Sequence, residues 1–143
     1  MVALGRTIPA LPVRSIGPAV DFYRKRLGFG STHQDKGFAI IRRDAAEIHL
    51  WQAGDEEWRA RPTAERPIRS GAESFLAGTA SCRVGVEGID ALFAELAASE
   101  TLHPTSLGGV TTTDYGTREI SALDLDGNLL GFFEPLPDGG SAP

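Results

Sequence analysis

Cysteine and histidine are nearly absent from this sequence. The single cysteine, Cys82, leaves no partner for an intrachain disulfide and rules out a cysteine-based zinc cluster. Three histidines (His33, His49, His103) are few from which to build an imidazole metal site. No apolar run approaches the about 20 residues that a membrane-crossing helix needs. Basic charge is also short, fourteen Lys and Arg against nineteen Asp and Glu, for a net charge of −5. That balance argues against nucleic acid or an anionic membrane as partner and tolerates a cationic small molecule. The opening Met1-Val2-Ala3-Leu4-Gly5-Arg6 lacks the apolar stretch and cleavage site of a secretion signal, so a soluble cytoplasmic protein is expected. No Ser-His-Asp spacing, phosphate loop or dinucleotide fingerprint is present, and no cofactor is expected.

Glycine and proline, by contrast, are plentiful: 17 and 9 of 143 residues, enough for many turns and little helix. Residues 7–13 read as a strand whose Pro9 and Pro12 remove ladder donors, which confines it to an edge. From Ser15, Val20, Phe22, Tyr23 and Leu27 recur at helical spacing, and Gly28 ends the helix. Strands are expected at 31–34, 38–43 and 47–51, separated by turns at 35–37 and 44–46. Residues 52–78 mix both signs of charge with Pro62, Pro67 and Trp58, and read as a linker or a functional loop. The order then repeats, with a strand at 79–86, a helix at 88–99, a turn-rich stretch around Gly108-Gly109, and strands at 117–124 and 128–134. The tail, 135–143, is rich in Pro, Gly and Ser and is expected to fray. The reading is an α+β fold of two tandem βαβββ modules, at about 7–52 and 79–134, with a long connecting loop at 53–78.

Two stretches carry a family resemblance. Ala19-Val20-Asp21-Phe22-Tyr23-Arg24-Lys25-Arg26-Leu27-Gly28-Phe29 resembles the first helix and turn of the vicinal oxygen chelate superfamily, which holds glyoxalase I, extradiol dioxygenases, and fosfomycin- and bleomycin-resistance proteins. Tyr115-Gly116-Thr117-Arg118-Glu119 and Asp124-Leu125-Asp126-Gly127-Asn128 resemble its second-half pattern, with Leu125 where a proline is usual. Residues 71–84 resemble the same stretch of bleomycin-resistance and glyoxalase-like chains. The likeness spans about 7–134 and implies curved mixed sheets around a central cavity, in a domain-swapped homodimer.

Enzymes of this superfamily hold a divalent ion at four strand positions, which fall here on Ile8, His49, Ser81 and Gly131. Only His49 is a competent ligand, with Glu47 nearby, so no metal is expected. Alternation along the strands then gives the cavity face. His49 inside brings Glu47 and Trp51 with it, and Ser81 inside brings Arg83 and Gly85. Leu129, Gly131 and Phe133 point inward from the last strand. The opposite faces (Ile48, Leu50, Cys82, Val84, Val86, Leu130, Phe132) are uniformly apolar, as a core should be.

Resemblance to bleomycin-resistance proteins implies a ligand groove at a dimer interface. In it Phe38 and Tyr115 take the place of groove aromatics, and Pro9 marks where an N-terminal arm crosses to the other subunit. Arg83 stands where a tryptophan is usual; it would repel a cationic ligand, or stack on a ring while pairing with Glu47 or an anionic group. Trp58, in a charged loop, is read as a ligand or dimer contact. Glu119 and Asp124 read as structural, and His33 and His103 as inert surface residues. The function implied is metal-free binding of a planar, cationic drug of bleomycin type, with resistance by sequestration. The alternatives are a metal-dependent enzyme of the same superfamily using His49 and Glu47, or a binding protein for an anionic metabolite clamped by Arg83.

Overall fold

The computed structural model describes residues 1–54 and 76–137. Most of the expected connecting loop, Trp58 with it, and residues 138–143 of the tail lie outside the described residues. The first module comprises β1 (Ala10–Val13), α1 (Ile16–Leu27), β2 (Gly30–Gln34), β3 (Phe38–Arg43) and β4 (Ala46–Gln52). The second comprises β5 (Ser81–Gly85), α2 (Ile89–Ala98), a 3-10 turn (Pro104–Ser106), β6 (Thr111–Thr112), β7 (Thr117–Leu123) and β8 (Leu129–Pro135). Each forms a four-stranded mixed sheet, ordered β1-β4-β3-β2 and β5-β8-β7-β6, with the first strand parallel to the last and the remaining pairs antiparallel. The tandem βαβββ reading is therefore correct. Strand β6, only two residues long, was legible in the sequence only as part of a turn-rich stretch.

Local chemistry sets these boundaries. β1 starts at Ala10 rather than Thr7, and Pro9 stands just outside it, its carbonyl accepting from the His49 N–H at 3.0 Å. Among the described residues β1 pairs with β4 alone, so the missing N–H of Pro12 falls on an edge strand where the sheet does not need it. Helix α1 ends at Gly28, whose φ of 76° is left-handed. Space demands glycine there as well: a Cβ would stand 3.0 Å from the Arg43 guanidinium, which caps the helix by donating to the Leu27 carbonyl at 2.9 Å. The tail is anchored where it leaves β8, with the Leu136 N–H donating to the Gly116 carbonyl at 2.9 Å.

Alternation sends Leu11, Val13, Ala39, Ile41, Ile48 and Leu50 to one face of the first sheet, under Val20, Tyr23 and Leu27 of α1. Ile120, Ala122, Leu130 and Phe132 do the same under Ile89 and Leu96 of α2, and all of these belong to one buried cluster. Two modules thus share one core, and truncating a leucine within it costs about 2–5 kcal/mol. Polar groups bridge the modules on this same side. Arg43 forms a bidentate pair with Glu95 (2.5 and 2.9 Å), and Arg26 donates to the Ser99 carbonyl at 2.8 Å. Tyr23 bonds Asp124, and Asn128 donates to the Pro12 carbonyl at 2.8 Å. Because the helix-covered faces meet each other, the other face of each sheet turns away from the shared core. Among the described residues no helix is long and apolar enough to cross a membrane.

Candidate functional site

The open face of the first sheet carries an aromatic row. The register sets Phe38 beside Trp51, Ile40 beside His49 and Arg42 beside Glu47. The Phe38 ring meets His49 edge-to-face at 5.1 Å and Trp51 edge-to-face at 6.0 Å between centroids. Trp51 remains 43% exposed, a large apolar surface. Below the row, Glu47 accepts from His49 Nε2 (2.9 Å), Arg42 (2.6 Å) and Arg6 (3.0 Å). The imidazole bond, followed by the two guanidinium charges, holds the Glu47 carboxyl below its usual range.

A second constellation lies on the open face of the other sheet. Arg83 on β5 lies opposite Gly131 on β8, and Gly131 in turn lies opposite Ser121 on β7. With no side chain at Gly131, Arg83 crosses β8 and reaches Glu119, two strands away; a Cβ on Gly131 would sit 3.7 Å from the Arg83 Cγ. The two guanidinium nitrogens meet the two carboxylate oxygens at 3.1 and 2.8 Å. Cζ of Arg83 lies 4.7 Å from the centroid of the Phe133 ring, and Gly85 gives that ring room. Thr117 (2.6 Å) and Tyr115 (2.9 Å) donate their hydroxyls to the same carboxylate. The guanidinium first, then these hydroxyls, hold the Glu119 carboxyl down at about 2.

One expectation needs correction. Arg83 does stack on a ring, but its carboxylate partner is Glu119 rather than Glu47, which belongs to the other sheet and is already engaged by Arg6, Arg42 and His49. Glu119, on β7, thus holds Arg83 in place, a pairing the sequence did not indicate. His33 stays on the surface, on the exposed strand β2. A bulge between Ser31 and His33 shifts the β2 register, so that His33 lies opposite Ile40 and its ring sits 5.8 Å from Phe38 while Nε2 meets Asp35 at 2.9 Å. No local signal distinguishes a bulge from a regular edge strand, so the nearness of His33 to Phe38 is not legible in the sequence.

A single chain brings the predicted residues together in two groups: Phe38, Glu47, His49 and Trp51 on one sheet, Arg83, Tyr115 and Gly131 on the other. Among the described residues no ring contact or hydrogen bond joins the groups. They approach where Glu47 and Arg83 both line a pocket of about 300 Å³, together with Arg6, Ile8 and Pro9. A larger cleft of about 560 Å³, between Leu27, Phe29, Val84, Val86, Leu92 and Phe132, contains none of the predicted residues. Among the described residues, the cavity expected between curved sheets is thus not closed.

The superfamily's metal does not fit these residues. Of its four positions, Ile8 and Gly131 offer no donor side chain, and His49 is bonded to Glu47. Among the described residues no group of three or more His, Cys, Asp or Glu side chains could hold an ion.

Comparison with known proteins bears on the family and the fold. No family model matches the chain. Bleomycin resistance proteins of Geobacillus stearothermophilus and Staphylococcus aureus are each 42% identical to it over 131 residues, which cover 92% of this chain and 97% of theirs. A bleomycin-binding protein from bleomycin-producing Streptomyces verticillus, solved in complex with copper(II)-bleomycin, has the same fold. It superposes with a TM-score of 0.64 at 23% identity, covering 92% of this chain and 97% of that one.

Proposed function

The chain belongs to the bleomycin resistance protein family, and from that premise we propose that it binds a bleomycin-type antibiotic and confers resistance by sequestering the drug unchanged. The observation that carries this reading is the family relationship over nearly the whole chain. The Phe38–His49–Trp51 row supplies what such a ligand needs: flat apolar surface for planar rings, desolvated when the groove closes. The anionic-metabolite alternative has less support, because the charge of Arg83 is matched by Glu119.

The site is completed by a second copy of the chain. Each protomer turns its two open sheet faces away from its core, and a homodimer lets the first sheet of one protomer face the second sheet of its partner across a groove. Pro9 and the segment before it, with Val2 and Leu4 exposed, are the arm that crosses between subunits. Sequestration takes place in the cytoplasm, before the drug reaches its target.

Titration with copper(II)-bleomycin, followed by tryptophan emission and by light scattering for mass, tests this reading. Binding at micromolar drug to a dimer, with intact drug recovered, is expected. Phe38→Ala and Trp51→Ala should each weaken binding by about tenfold or more, as buried aromatic anchors do. Failure of the wild-type protein to bind, or recovery of altered drug, overturns it.

A further inference from the structure

The Arg83 constellation carries an inference about how the second sheet contributes to binding. Arginine at a ligand-facing position would ordinarily present a mobile cation. Here a bidentate carboxylate fork fixes the guanidinium, since the two planar groups meet through parallel hydrogen bonds. Phe133 lies under the cation, and Arg83 and Phe133 pack close over Gly131 and Gly85, where a Cβ would touch them at 3.7 and 3.5 Å. The Arg83 side chain remains 52% exposed, so one side of it faces the ring and the rest is open. A fixed, weakly hydrated, planar group with an open face is a surface on which another ring stacks.

We propose that the Arg83 guanidinium, stacked over Phe133 and neutralised by Glu119, is a stacking platform for a planar heteroaromatic ring, one that does not repel a cationic tail on that ring. The proposal rests on the functional reading above and adds a specificity-determining residue to it. Glu119 accounts for that tolerance of the tail. With its charge balanced, Arg83 does not repel the tail, while the plane it offers is retained. Tyr115 and Thr117 saturate the same carboxylate, which keeps Glu119 on Arg83 rather than free to leave it for a ligand cation.

Two probes separate this proposal from the function it rests on. Copper(II)-bleomycin tests drug binding, and tryptamine, a planar heteroaromatic ring on an alkylammonium tail, tests the platform alone in an NMR titration. Arg83→Lys keeps the charge and loses the plane, whereas Arg83→Trp keeps a plane and loses the charge. Tryptamine affinity should fall about tenfold in Arg83→Lys and stay within about threefold of wild type in Arg83→Trp, the span of one stacking contact. Thermal melts of both variants accompany the titration, since a merely structural role would not be rescued by tryptophan. Equal tryptamine affinity in wild type and Arg83→Lys, or none in wild type, overturns the platform. Tryptamine binding that follows this pattern in a protein that ignores copper(II)-bleomycin would uphold the platform and remove the drug-binding function.

Discussion

The phenol of Tyr23 donates a 2.8 Å hydrogen bond to the carboxylate of Asp124, across 101 positions of chain and across the boundary between the two modules. Both are buried, Tyr23 fully. The same carboxylate accepts from Asn128 Nδ2 and from the backbone N–H groups of Asp126 and Asn128, each at 2.9 Å. Asn128 accepts in turn from the Ala80 N–H at 3.1 Å. The aromatic helix and the Asp-Leu-Asp-Gly-Asn turn, read separately in the sequence as two family marks, are two halves of one polar joint set in the shared core.

Replacing Tyr23 by Phe removes a donor and leaves a buried carboxylate one bond short, which should cost about 1–3 kcal/mol in urea denaturation. Binding of copper(II)-bleomycin should be unchanged, because the joint lies on the helix side of the sheets. A pH dependence follows too. Burial first, and then the Asp124 charge, raise the Tyr23 phenol well above 10.0, so the native state keeps a proton that the unfolded chain releases. Stability from this group is complete below pH 10.0 and falls as pH rises beyond it. Alkaline denaturation of Tyr23→Phe should lack that component.

Glu119 gives the opposite sign. Its carboxyl lies at about 2 against an ordinary 4.5, so the native state binds fewer protons than the unfolded chain between those values. Its contribution is complete above pH 4.5 and disappears as pH falls toward 2. Wild type should exceed Glu119→Gln in stability at neutral pH by about 1 kcal/mol or less, the discount reflecting solvent around the half-exposed Arg83. Acid titration of both proteins should show the two curves converging toward pH 2, and parallel curves would contradict the pairing.

Cys82 provides a simple check on the orientation of β5. Its thiol lies on the core side, and burial pushes it up to about 11. A thiolate-selective disulfide reagent at neutral pH should label the native protein slowly and the urea-unfolded protein at once. Immediate native labelling would put Cys82, and with it the strand, the wrong way round.

Short-range patterns carried most of the fold. Val20, Tyr23 and Leu27 at helical spacing, Ile48 and Leu50 alternating with Glu47, His49 and Trp51, and the turns at Gly28 and Asp126-Gly127 depend on neighbours a few residues away. The repeated element order and the two sheet faces were therefore legible in the sequence. Residues 111–112 were not, because a two-residue strand has no period to read. The nearness of His33 to Phe38 was not legible either, because it depends on a bulge that shifts the register of β2.

The sequence by itself determined the two βαβββ modules, the edge position of the proline-bearing first strand and the identity of the side chains on each open face. Only the tertiary structure decided which of those side chains meet. Arg83 reaches over Gly131 of β8 to Glu119 on β7, and Glu47 is held by Arg6, Arg42 and His49. It also decided that the modules join through their helix-covered faces, leaving the aromatic row and the Arg83 platform turned away from the core they share. Periodicity is a property of a segment and survives in isolation, whereas a partner two strands away depends on register, bulges and missing side chains in elements far apart in the chain.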